Sequence, residues 1–146
     1  MQVPSGPVAA SSDAERAMFD FVDAYDRAYE IAAEQHGMSV AQACVLGRVS
    51  RPRGMGELAD ELGCDASNIT QIVTRLEARD LVERHAHPDD GRSRQLTRTS
   101  AGDTLNAAFE KSFEFARAAA SQLNLEEQAQ LAELLRKALG QSPTQG

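Results

Sequence analysis

Cysteine is scarce in this chain. Cys44 and Cys64 are the only two, too few for a disulfide scaffold, and neither belongs to a Cys-x-x-Cys pair. Both are expected as small, buried hydrophobes. A redox sensor would need an exposed thiol of low pKa; Cys44 has no basic neighbour close by, and Asp65 directly follows Cys64. Long apolar runs are missing too, since none approaches the roughly 18 residues of a membrane span. The opening stretch MQVPSGPVAASS has neither the basic start nor the apolar segment of a secretory signal, so the cytoplasm is the expected compartment. No Gly-rich phosphate loop is present. The three histidines accompany no nucleophile motif. Neither an enzyme nor a bound cofactor is therefore expected.

A basic excess is also lacking: the formal net charge is −7. Its distribution is uneven. Residues 1–47 carry two basic and seven acidic side chains, residues 48–98 nine of each, and residues 99–146 four and six. Within the neutral middle, Arg84, Arg92, Arg94 and Arg98 face only Asp89 and Asp90 over that stretch. The acidic flanks would be repelled by phosphates, so any nucleic-acid surface belongs to the middle.

What is present reads as helices around a hairpin. Residues 1–11, rich in Pro, Gly, Ser and Ala, are expected as a disordered tail. Ser12 with Glu15 makes a capping box. Met18, Phe21, Val22, Tyr25, Ala28, Tyr29 and Ala32 follow at helical spacing, and Gly37 stops the helix. That apolar stripe is broad enough to suggest a partner subunit. Ser39 with Gln42 opens a short helix through about Val49, and residues 50–54 read as a loop. Met55, Leu58, Ala59 and Leu62 form the next stripe, ended by Gly63. Asp65 or Ser67 can cap the helix after it, which buries Ile69, Ile72, Val73 and Leu76. Leu81–His85 reads as a strand, Pro88-Asp89-Asp90-Gly91 as a turn, and Arg94–Thr99 as the return strand. A long helix is expected from about Ala101 to Leu123, and a last one from Asn124 with Glu127 to Gly140. Residues 141–146 are a polar tail.

The ordered set of segments resembles the MarR family of winged-helix regulators. The matching text is Glu57-Leu58-Ala59-x-x-Leu62-Gly63, Ser67-x-x-Thr70-x-x-Val73-x-Arg75-Leu76-Glu77, Leu81-Val82-x-Arg84, Pro88-Asp89-Asp90-Gly91-Arg92-Ser93-Arg94 and Thr99-x-x-Gly102. The resemblance spans roughly residues 39–139. It implies a mainly α fold with a small β-hairpin wing: one domain over residues 12–140, with a winged helix-turn-helix at 39–99 and dimerisation helices at 12–37 and 100–140. It implies a homodimer that regulates transcription from double-stranded DNA at a pseudo-palindromic operator, usually as a repressor of nearby genes released by a small aromatic or phenolic effector. Three departures stand out. Asp80 occupies a position where the family usually has glycine, Arg98 one that is usually apolar, and Gln71 one where arginine is common. Arg98 is expected to point outward or be paired, and to extend the basic surface. Gly54-Met55-Gly56 is a weak helix start.

An α-helix fits the DNA major groove, where all four base pairs are distinguishable. The exposed face of the helix beginning near residue 66 offers Ser67, Asn68, Gln71, Thr74 and Arg75 as readers. On the wing, the resemblance assigns Arg92 to the minor groove, Asp90 to orienting it, and Arg94 to phosphate contact or loop bracing. Tyr25, Tyr29 and Phe113 are candidates for an effector pocket. His85 and His87, two apart on a strand, would share one face; solvated wing residues are expected, not metal ligands, and His36 is expected as a dipole partner at the first helix's end. The competing expectation is a winged-helix module that binds protein and not DNA.

Overall fold

The computed structural model describes residues 8–89 and 94–141. These fall into two compact units, one ending at Phe113 and one beginning at Glu114. The first holds α1 (Asp13–Gln35), α2 (Val40–Arg48), β1 (Arg53–Gly54), α3 (Met55–Leu62), α4 (Ala66–Ala78), β2 (Val82–Ala86), β3 (Arg94–Arg98) and α5 (Ser100–Ser112). The second holds α6 (Phe115–Ser121) and α7 (Leu125–Ala138).

The caps follow from the residues that stand at the helix starts. Ser12 accepts the Glu15 N–H at α1, although the Glu15 carboxylate turns to Ser11 and does not close the expected box. At α2 both bonds of the Ser39–Gln42 box form, as do both of the Asn124–Glu127 box at α7. Asp65, and not Ser67, caps α4 by accepting the Asn68 N–H at 2.9 Å. The weak start of α3 is borne out: Gly54 supplies no side-chain cap. Gly37 and Gly63 take positive φ just past α1 and α3, where only a residue without Cβ bends the chain cheaply.

In the first unit α1 packs against α2 and α5, and α4 against α2, α3 and β2. Leu46, Leu58, Ile69, Leu76, Leu96, Val45 and Val73 meet at its centre with under 2% exposure. Each such side chain contributes roughly 1.5–3 kcal/mol on burial. The sheet is three-stranded and antiparallel in the order β1-β3-β2, with Arg53 opposite Leu96, Arg84 opposite Leu96 and Val82 opposite Arg98.

Three expectations are corrected. Residues 50–54 are not all loop, because Arg53–Gly54 adds a strand to the hairpin. The helix expected over 101–123 is interrupted at Phe113 and Glu114. Neither glycine nor proline marks that break. At it, Ser112 Oγ donates to the Phe109 carbonyl at 2.9 Å, alongside the Phe113 N–H, and a side chain competing for a helix carbonyl weakens continuation. Arg98 does not extend a basic surface. It is paired, donating to Asp103 at 2.9 Å and to the Leu46 carbonyl at 3.2 Å, with its side chain 15% exposed.

Candidate nucleic-acid interface

Helix α4 buries Ile69, Val73 and Leu76. The period of 3.6 then leaves Ser67, Asn68, Thr70, Gln71, Thr74 and Arg75 exposed. Five of these six are the expected readers; Thr70 belongs to the same face and was missed. Their hydrogen bonding is uneven. The Ser67 hydroxyl donates to Asp65 at 2.7 Å, Thr70 to the Ala66 carbonyl at 2.8 Å, and Thr74 to the Thr70 carbonyl at 2.8 Å. Thr74 also accepts from Arg84 at 3.1 Å, so its proton and one lone pair are already engaged. The Asn68 and Gln71 amides and the Arg75 guanidinium carry the donors left for a partner.

The arginines of residues 48–98 divide into two sets. Arg53 is 9% exposed and anchors the turn between α2 and α3: it donates to the Arg48 carbonyl at 3.0 Å, to Glu57 at 2.8 Å and to Glu61. Arg48 and Arg51 add ion pairs to Glu61 and Glu57, both at 3.2 Å. Arg84 pairs with Glu77 at 2.7 Å, and Arg98 with Asp103. Arg79 donates to the Gly37 carbonyl at 2.8 Å, tying the end of α4 to the α1–α2 turn. Among the described residues, Arg75 and Arg94 are the arginines of this stretch with neither an ion pair nor a side-chain hydrogen bond. One stands on the exposed face of α4 and the other at the base of the wing.

The carboxylates respond to these bonds. Donation from Arg53 holds Glu61 below the usual range. Partial burial pushes Glu57 up, but Arg53, the Gly54 backbone and Arg51 together outweigh it and leave it lowered. The Asn68 N–H and the Ser67 hydroxyl lower Asp65. Arg94 opens β3 opposite Ala86 and lines an open cleft with His87, Gln95, Gly54 of β1 and the first residues of α3, Met55 to Glu57. Asp90 and Arg92 lie outside the described residues. His85 and His87 do not share a site: His85 bonds Thr97 at 3.1 Å, while His87 lies past the end of β2 and its Nδ1 accepts the Asp89 N–H at 3.0 Å.

Tyr25, Tyr29 and Phe113 are brought together, with Phe109 as a fourth ring. Tyr29 stands edge-on to Phe109 at 5.1 Å and to Phe113 at 5.2 Å, and Tyr25 edge-on to Phe113 at 5.2 Å. Burial, reinforced by a hydrogen bond to Cys44, pushes the Tyr29 phenol well above its ordinary range. The rings fill one another's faces as packed aromatic pairs do. Cys44 and Cys64 are free and half-buried, less enclosed than expected. His36, at the end of α1, bonds Ser112 at 2.8 Å, an α5 partner that the sequence did not reveal.

Residues 36–93 match the model of the MarR family. No curated protein matches the chain. Among solved structures, apo MarR from E. coli is 23% identical with a TM-score of 0.72, over 91% of this chain and 99% of that one. YusO from Bacillus subtilis is 22% identical with a TM-score of 0.69, over 89% and 94%. A cysteine-to-serine variant of E. coli MarR complexed with operator DNA is 24% identical with a TM-score of 0.68, over 85% and 91%. The shared fold is the winged helix with its flanking helices.

Proposed function

We propose that the chain, whose residues 36–93 match the MarR family model, is a sequence-specific DNA-binding regulator of transcription, working as a homodimer and repressing genes near its own. The single observation that carries this reading is the sorting of arginines. Among the described residues, the lobe neutralises most of its guanidiniums internally and leaves Arg75 and Arg94 without an ion pair, on the helix and the hairpin that would meet DNA. Helix α4 enters the major groove, with Asn68 and Gln71 suited to adenine and Arg75 to guanine or a phosphate. Arg92 enters the adjacent minor groove, oriented by Asp90, and Arg94 holds the backbone. That a protein of the same fold has been solved in complex with operator DNA supports the reading.

The dimer is supported by what the surface leaves uncovered. On α1, Met18 and Val22 are 50% and 53% exposed in one helical stripe, and Leu134 on α7 and Leu139 just past its end are 63% and 73% exposed. Apolar stripes of this kind are covered in stable proteins, and two copies would present two recognition helices to a pseudo-palindrome. A small aromatic effector at Tyr25, Tyr29 and Phe113 would have to part the ring cluster to enter. It would release DNA by favouring a dimer whose two α4 helices are wrongly spaced.

Fluorescence anisotropy with the duplex upstream of the protein's own gene, against a scrambled duplex, tests the reading. Binding at least about a thousandfold tighter to the upstream duplex is expected of a specific regulator. Equal, feeble binding to both would replace it with the protein-interaction module, the reading that the net charge of −7 favours.

A further inference from the structure

Strand β2 runs Val82-Glu83-Arg84-His85-Ala86, and its alternation puts Arg84 in phase with the buried Val82. Arg84 also stands directly opposite Leu96, which is fully buried. Residues directly opposite across an antiparallel pair share a face. The sequence therefore sends a guanidinium toward the helix packed behind the hairpin, into a seam that leaves its side chain 29% exposed. It is received there. Nε donates to Glu77 at 2.7 Å and Nη2 to the Thr74 hydroxyl at 3.1 Å. Thr74 and Glu77 are three apart on α4 and so lie on one face. The planar fork of arginine reaches both at once, which a lysine ammonium on its flexible stem does not reproduce.

We propose that Arg84 is a positioning residue for DNA reading, setting the angle between α4 and the wing before DNA arrives, with Thr74 and Glu77 as its seat. The backbone between the two elements is a short turn at Arg79–Leu81 whose middle residue, Asp80, is held at φ 58°. One rotation there would swing the hairpin relative to the helix. The turn itself is held by the Leu81 N–H on the Leu76 carbonyl at 3.0 Å and by Thr99, and the guanidinium bridge adds a connection farther along the strand that fixes the hairpin's angle to the helix. Specific binding requires helix and wing to reach their grooves together, and holding them so in advance removes an ordering cost from binding. Thr74 then serves the bridge and not a base edge. The proposal rests on the DNA-binding reading given above.

Three variants of the full chain test it: Arg84→Lys, Glu77→Ala and the two combined. Each is first checked for an unchanged circular-dichroism spectrum. Arg84→Lys keeps the charge and loses the fork. Glu77→Ala removes a negative charge at a partly buried helix position where the helix itself tolerates alanine well, so simple electrostatics makes it bind DNA more tightly. The bridge predicts the opposite. Each single variant should lose about tenfold in affinity for the upstream duplex, the scale of a bond to a charged group. Each should keep its affinity for a scrambled duplex and the wild-type salt dependence, and the double variant should lose no more than either single one. Wild-type affinity in Arg84→Lys, tighter binding by Glu77→Ala, or losses that multiply would each overturn the proposal. Amide hydrogen exchange of residues 82–86 in the free protein is a second readout that needs no DNA. Faster exchange in Arg84→Lys supports the bridge, and unchanged exchange contradicts it. Should the wild type show no preference for its upstream duplex, the regulator reading falls, and the exchange result alone decides whether Arg84 sets the wing.

Discussion

Gly102 and Asp80 show how much can hang on one backbone position. A Cβ at Gly102 would stand 2.0 Å from the Leu81 carbonyl oxygen, so the first turn of α5 lies directly on the turn that joins α4 to the wing. Thr99 secures the same junction, its N–H bonded to the Leu81 carbonyl at 3.1 Å and its hydroxyl to the Asp80 carbonyl at 2.6 Å. Gly102→Ala should cost roughly 1–3 kcal/mol, as overpacking does, read as a lower urea midpoint. Asp80 has the positive φ for which glycine is suited. An L side chain there costs roughly 1–2 kcal/mol, less for Asp than for most, and glycine returns part of the gain through its freer unfolded chain. Asp80→Gly should therefore raise stability by about 0.5–1 kcal/mol, seen as a higher midpoint with unchanged slope; a lower midpoint would show that the carboxylate does more than occupy the turn.

At the scale of elements, helices were legible wherever a cap residue, an apolar stripe and a stop glycine coincided. Ser39 with Gln42 and Asn124 with Glu127 formed the boxes their spacing predicts. Strand β1 was not legible: two residues carry no periodicity, and Ser50-Arg51-Pro52 reads as loop. What makes it a strand is tertiary, namely β3 beside it and the buried Arg53 gripping Glu57 and Glu61. Arg84 was legible in principle, since an arginine in phase with Val82 announces an inward charge in need of an acceptor. The exposed polar face of α4 followed from its period, but not which of its hydroxyls were already engaged. The ion network makes its own prediction. Glu57, Glu61 and Asp65 are all lowered by their partners in the folded state. Their contribution is therefore complete above the unfolded carboxylate range and is lost as pH falls through the lowered values. The Tm should be flat above about pH 5 and fall below about pH 4. Glu61→Gln should lower the Tm at pH 7 and flatten the acid limb; an acid limb as steep as wild type would remove Glu61 from the network.

For the whole molecule, charge is the puzzle that the structure resolves. A protein of net charge −7 does not gather DNA by a basic field, and its middle third is neutral. The internal pairing of Arg48, Arg51, Arg53, Arg84 and Arg98 means that few guanidiniums remain to meet phosphates or bases. On the DNA-binding proposal, affinity comes from a few groups: Arg75 and Arg94, Arg92 between β2 and β3 in the sequence, and two copies acting together. A salt titration of wild type and Arg92→Ala on the upstream and scrambled duplexes measures this most directly. The wild type is expected to hold its preference for the upstream duplex as salt rises, and Arg92→Ala to lose about 1–3 kcal/mol on that duplex, the scale of a good groove contact. Equal and feeble binding of both duplexes by the wild type, or an unchanged upstream affinity in Arg92→Ala, would contradict it.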